Sequence, residues 1–252
     1  MEKNLAIEIQ KASLSFPVSL KETRTLKNRL LGSTGFNKKT AKSEKQKYVH
    51  ALKDISCTIH EGERVGIIGH NGSGKSTFLR LICGIYEETS GSIIRHKKIH
   101  PMIRKTFLTG GESSGWDSAK ANYLLEKNTL DGFREYIRDI TEFTQLGKFL
   151  KLPMKTYSEG MKARLMFAIL TSTEHKCIAV DEGFGAGDKR FFERASERLD
   201  DFINSSGTVI MASHSERLLN QFCTRGIVFK GGIIVFDGNL KDAFNFYNGK
   251  NY

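Results

Sequence analysis

The sequence predicts a mixed α/β fold: a parallel core, an antiparallel β segment ahead of it, and helices inserted within it. Three observations carry this. Arg64-Val65-Gly66-Ile67-Ile68 is a short apolar run that enters Gly69-His70-Asn71-Gly72-Ser73-Gly74-Lys75-Ser76-Thr77, and the apolar run Phe78-Leu79-Arg80-Leu81-Ile82-Cys83 leaves it. Strand, glycine-rich loop and helix in that order are the context that G-x-x-x-x-G-K-[ST] requires. Next, Cys177-Ile178-Ala179-Val180 and Thr208-Val209-Ile210-Met211-Ala212 are strand-like runs that end in polar residues, Asp181-Glu182 and Ser213-His214. Ligands collect at such C-terminal strand ends in parallel sheets. Finally, helical spacing runs through residues 117–151, with Tyr123, Leu124 and Leu125, then Phe133, Tyr136, Ile137, Ile140 and Phe143.

The loop predicts a triphosphate ligand. Glycines let successive backbone N–H groups converge on phosphate at the start of a helix whose dipole favours negative charge. Lys75 then reaches the β- and γ-phosphates, Ser76 offers its hydroxyl to Mg2+, and Thr77 helps to start the helix. An apolar strand that ends in Asp181 places that carboxylate opposite the loop, to hold Mg2+ directly or through water. The adjacent Glu182 is the candidate to orient a water at the γ-phosphate. His214, at the end of its strand, is the candidate for a further phosphate contact.

The remaining elements follow from local signals. Residues 4–16 alternate as a half-buried strand or hairpin arm, Tyr48 to His60 resumes strand character, and Thr89-Ser90-Gly91-Ser92-Ile93-Ile94 ends in another strand. Ser158 is placed to cap a helix running through Leu170. Residues 227–236 form a hairpin around Gly231-Gly232, with a last short helix bearing Phe244, Phe246 and Tyr247.

Composition narrows the function classes. The chain has 252 residues and a net charge of +11, and no apolar run approaches the roughly 20 residues that span a bilayer. Met1-Glu2-Lys3-Asn4 offers no secretory leader, so a cytoplasmic location is expected. Cys57, Cys83, Cys177 and Cys223 are far apart, which suggests reduced, buried thiols and neither a metal cluster nor a disulfide framework. Residues 21–47 hold nine basic residues against two acidic ones, so +7 of the charge is local. Beside Leu26, Leu30 and Leu31, that stretch reads equally as a solvated basic loop or as a docking helix.

Taken together, the P-loop, the helical insert, Tyr157-Ser158-Glu159-Gly160-Met161, Asp181-Glu182, Gly185-Ala186-Gly187-Asp188 and Ser213-His214 resemble an ABC-type ATPase over nearly the whole chain. The resemblance implies a single ABC domain over 1–252, with a RecA-like parallel core, an N-terminal antiparallel β subdomain and a helical subdomain at about 104–156. It also implies that Ser158 and Gly160 contact ATP bound on the opposite protomer of a homodimer, and that Asp188 lies in the D-loop. By the same pattern Ser76 and Asp181 hold Mg2+, Glu182 is the catalytic base and His214 the switch histidine. The adenine-stacking aromatic is Phe16 or Tyr48, with Phe16 in the position that the family favours. Besides that open choice there is a second departure: no Gln stands between Gln46 and Gln145, so residues around Thr109-Gly110-Gly111-Glu112 must stand in for the usual glutamine.

The signature Tyr157-Ser158-Glu159-Gly160-Met161, followed by Lys162, is similar to that of bacterial polysaccharide exporters, as are Ala186-Gly187-Asp188 and the basic insert. This implies the ATP-hydrolysing subunit of an O-antigen, capsule or teichoic-acid exporter. Such a subunit is peripheral on the cytoplasmic face of the cell membrane and works with an integral-membrane permease that moves a lipid-linked glycan. The alternative is a soluble ABC ATPase acting as an assembly scaffold or on nucleic acid. The single P-loop and the lack of a long coiled coil count against the nucleic-acid version, and no specific nucleic acid is expected.

Overall fold

A computed structural model describes residues 4–18, 47–102, 111–181 and 189–249. The basic stretch at 21–46, the Glu182 to Asp188 segment, and Thr109 and Gly110 lie outside the described residues.

Strands β1 (Leu5–Val18), β2 (Lys47–His60) and β4 (Ser90–Arg95) form an antiparallel sheet in the order β2-β1-β4. The strands expected over residues 4–16 and from Tyr48 to His60 are both present. Kinks at Lys11 and Asp54, both in the left-handed region, let them continue through breaks in alternation. The Asp54 N–H is met there by Ser13 Oγ at 3.0 Å.

The second sheet combines β3 (Arg64–Ile68), β5 (His100–Met102), β6 (Cys177–Val180), β7 (Thr208–Ala212), β8 (Arg225–Lys230) and β9 (Ile233–Asn239). Its order is β5-β6-β7-β3-β8-β9, parallel except for the β8–β9 hairpin. Alternate side chains serve two layers. Val65, Ile67, Ile210, Ala212 and Phe229 pack toward the antiparallel sheet, with helix α1 (Lys75–Ile82) supplying Phe78, Leu79, Leu81 and Ile82 to the same core. Ile68, Val209, Met211 and Val228 face the other way, onto helices α5 (Lys189–Ser205), α6 (Glu216–Phe222) and α7 (Leu240–Asn248). Phe78 is fully buried, so its truncation to Ala would cost about 3–5 kcal/mol.

A third core joins α2 (Gly115–Lys127), α3 (Phe133–Thr144), two 3-10 turns and α4 (Glu159–Thr171). A reciprocal Ser114–Asp117 capping box starts α2. Three helices are tied by one ion pair: Arg198 on α5 donates to Asp139 on α3 at 2.9 Å and to Thr171 on α4 at 2.7 Å. Burial opposes ionisation of Asp139, but the Arg198 hydrogen bonds and charge outweigh it and hold the carboxyl below its ordinary range.

Arg225 joins the two sheets. It donates to Thr58 O on β2 at 2.8 Å, to Glu63 at 2.7 Å and to Asp237 on β9 at 2.7 Å. The expectation of four buried thiols is corrected in part. Cys177 and Cys223 are buried, whereas Cys57 and Cys83 sit at the core margin and are half-buried. Burial still pushes the pKa of all four to about 12, so they are protonated and poorly nucleophilic.

Candidate functional site

The loop between β3 and α1 owes its path to glycine. Gly69 has φ +150°, and a Cβ there would stand 2.4 Å from Phe229 O, so the chain can turn beneath β8 only without a side chain. The helix then starts at Gly74 with no side-chain cap and no acidic residue in its first turn. Its N-terminal N–H groups and dipole are therefore directed at whatever occupies the cavity in front of them.

That cavity, about 610 Å³, lies at the C-terminal ends of β3, β6 and β7. Lys75 is 8% exposed, and its Nζ donates to Gly69 O at 2.6 Å and His70 O at 3.1 Å. His214 Nε2 stands 3.3 Å from the same nitrogen. Ser76 Oγ donates to Asp181 Oδ1 at 3.1 Å, which brings together two residues 105 positions apart in the chain. A hydroxyl and a carboxylate side by side are the hard oxygen donors that suit Mg2+. The donor set fits that ion.

Asn71, Gly72, Gly74, Lys75, Ser76, Thr77, Asp181 and His214 all line this cavity. Gly69, Ser73 and His70 do not. The Ser73 side chain is buried beneath the loop while its carbonyl accepts from Gly232 N–H at 2.9 Å. The His70 ring turns outward to Tyr247 of α7, with Nδ1 3.1 Å from the hydroxyl. Phe16 and Tyr48 are likewise absent from the lining. The Phe16 ring packs edge-on against Tyr86, with centroids 5.3 Å apart, while Val49, His50 and Ala51 of β2 border the cavity. Glu112 pairs with Lys155 at 2.8 Å in an exposed position. Ser158 caps α4, accepting from Met161 N–H at 3.2 Å, and neither it nor Gly160 reaches this cavity. Glu182 and Asp188 fall outside the described residues.

Sequence reasoning missed that β2 and the Gly231-Gly232 turn border the cavity, the turn closing one side of it. The Gly-Gly pair was a visible turn signal, but nothing local places a hairpin tip against a loop about 160 residues earlier. No motif marks Val49 to Ala51.

An uncapped helix N-terminus, a buried lysine and a Ser–Asp oxygen pair around one cavity define a P-loop nucleotide-binding protein. Comparison with known proteins specifies which kind. A family model described as ABC transporter matches residues 52–185. The O-antigen export system ATP-binding protein RfbE of Yersinia enterocolitica is 38% identical over 88% of this chain and 93% of that protein. The capsule polysaccharide export ATP-binding protein CtrD of Neisseria meningitidis is 34% identical over 78% and 89%. The teichoic acids export ATP-binding protein TagH of Bacillus cereus is 35% identical over 80% of this chain but only 37% of its own length. Among solved structures, a dimeric ATP-binding cassette bound to ADP and Pi superposes with TM-score 0.67 at 18% identity, over 93% of this chain and 98% of that one. The chain belongs to the ABC transporter family, and its fold is that of the ATP-binding cassettes. It binds and hydrolyses ATP.

Proposed function

We infer that this chain is the ATP-hydrolysing subunit of a polysaccharide exporter of the O-antigen, capsule or teichoic-acid type. The observation that carries the chemistry is the convergence of Lys75, Ser76, Asp181 and His214 on one cavity at the helix N-terminus. The relatives, 31–38% identical, point to the cargo class.

In this reading Lys75 binds the β- and γ-phosphates, the N–H groups from Gly72 to Thr77 cradle them, and His214 contacts the γ-phosphate. Ser76 and Asp181 hold Mg2+, which when bound neutralises charge on the phosphate oxygens. Glu182 accepts a proton from the attacking water. Ser158 and Gly160 serve ATP across a homodimer, which is why they stand apart from this chain's own cavity, and Asp188 belongs to the same interface. No helix among the described residues is long and apolar enough to cross a membrane. By the family's pattern the partner is a separate integral-membrane permease, and the charge of the basic stretch at 21–47 suits the anionic cytoplasmic face of the cell membrane.

Affinity purification of the chain from detergent-solubilised membranes tests the proposal. The expected result is a stoichiometric integral-membrane subunit, with ATPase activity that depends on it and on lipid-linked glycan. Recovery as a fully active dimer without any membrane subunit would overturn it.

A further inference from the structure

The opposite edge of the parallel sheet gathers three side chains that ATP chemistry does not use. His100 opens β5, His175 stands two residues ahead of β6, and Glu126 lies in the last turn of α2. His100 is 3% exposed. Its ring stacks on that of His175, with centroids 3.5 Å apart and 9° between planes. Its Nδ1 is 3.5 Å from Glu126 Oε1. One coordinating atom from each of the three residues lies within 4.8 Å of the others.

We propose that His100, Glu126 and His175 bind a divalent transition-metal ion of the Zn2+ type, linking the edge of the core sheet to the helical region. Ligand distances of 2.0–2.2 Å in a tetrahedron put neighbouring donor atoms about 3.4 Å apart. The His100–Glu126 separation already matches; because an imidazole binds an ion in its own plane, the His175 ring must also turn out of its stack on His100 to share that ion. Two imidazoles and one carboxylate favour Zn2+, Co2+ or Ni2+ over Mg2+ and Ca2+, whereas the Ser76–Asp181 pair has the opposite preference. Three protein ligands leave a fourth position for water.

The surroundings are consistent with this use. Burial, reinforced by the charges of His175 and Lys98, pushes the His100 pKa down to about 3, and burial also lowers that of His175. Thr173 Oγ1, 2.9 Å from His175 Nε2, orients that ring and sets which nitrogen carries the proton. Lys98 Nζ is 3.4 Å from Glu126 Oε2 and competes with an ion for that carboxylate, but its side chain is 74% exposed and can turn into solvent. Ring packing accounts for the stack, and the Glu126 carboxylate at the His100 nitrogen is the feature that a metal site would use.

The full-length chain, stripped with a chelator and free of nucleotide, should be titrated with Zn2+ against a chromophoric competitor, and with Co2+ for visible absorption. One saturable ion per chain is expected, with Co2+ bands of tetrahedral intensity. Glu126→Gln and His175→Asn, which lie nearer the surface than His100 and spare the fold, should each weaken Zn2+ binding by roughly 10-fold or more. Lys98→Gln should tighten it several-fold by removing the competing ammonium, an effect that damage to the fold would not produce. Asp181→Asn should leave Zn2+ affinity unchanged, which separates this site from the nucleotide carboxylate. Equal affinities in parent, His175→Asn and Lys98→Gln, or no saturable binding, would overturn the proposal.

Discussion

The helix that begins at Lys75 and the helix that begins at Glu159 differ in what stands at their first turn. The first follows Gly74, with no side-chain cap and no acid, and opens into the chain's own cavity. The second is closed by Ser158 Oγ on Met161 N–H and carries Glu159 in its first turn, paired to Lys162 at 2.8 Å. The same dipole is thus left for a ligand in one helix and met internally in the other. The first is ready to take phosphate as the chain stands, while the second can do so only in exchange with something brought to it. In the function proposed above, a second protomer that presents ATP would be such a partner.

Four sets of variants would break or sharpen that contrast. Glu182→Gln keeps shape and removes the base, so single-turnover hydrolysis should fall by roughly 10²- to 10⁴-fold while equilibrium ATP binding and dimer closure persist. Near-parent turnover would remove Glu182 from the site. Lys75→Ala should lower turnover by roughly 10²- to 10³-fold and weaken ATP binding with it, whereas His214→Ala should reduce turnover with affinity retained. If both variants lose binding equally, the two residues act as one phosphate clamp. Ser158→Ala should lower stability by about 1 kcal/mol and slow hydrolysis by the dimer, with ATP affinity of the dilute chain unchanged. Weaker binding to the dilute chain would mean that α4 serves its own cavity.

The smallest effect concerns the far end of α4, where Ser172 Oγ donates to Asp139 at 3.0 Å beside Arg198. The folded-state pKa of Asp139 lies below its unfolded value, so the pair stabilises above the ordinary carboxylate range and loses that contribution as pH falls through the folded value. The side chain is half exposed, which limits the effect to under about 1 kcal/mol. Denaturant unfolding of parent and Asp139→Asn should differ at pH 7 and converge as the pH falls below the folded-state value of Asp139. A gap that persists in acid would assign the difference to packing.

What could be read from residues alone was whatever has a local cause. The loop at 69–77, the Ser158 cap and the Gly231-Gly232 turn are each specified within a few positions, and all three stand where expected. β5 was missed because His100–Met102 is three residues with a central proline, too short for any period to register. Phe16 sits on its expected strand, but its ring turns to Tyr86, which depends on a packing partner 70 positions away. The Arg225 bridge and the meeting of His100 with His175 are likewise long-range products of strand order, invisible to windows of local sequence.

The tip of the β8–β9 hairpin has a consequence beyond shape. Gly232 N–H holds Ser73 O at 2.9 Å and its carbonyl accepts from Lys53 N–H at 2.8 Å, so the loop is splinted to β2 through one residue with φ +81°. A Cβ on Gly232 would fall 2.6 Å from Ala51 O, so only glycine permits the splint. The freedom of the loop, on the order of 1–2 kcal/mol per residue, is thereby surrendered when the chain folds and not when nucleotide arrives. Loosening the hairpin would then appear as an entropic loss of affinity caused by residues outside the phosphate loop itself.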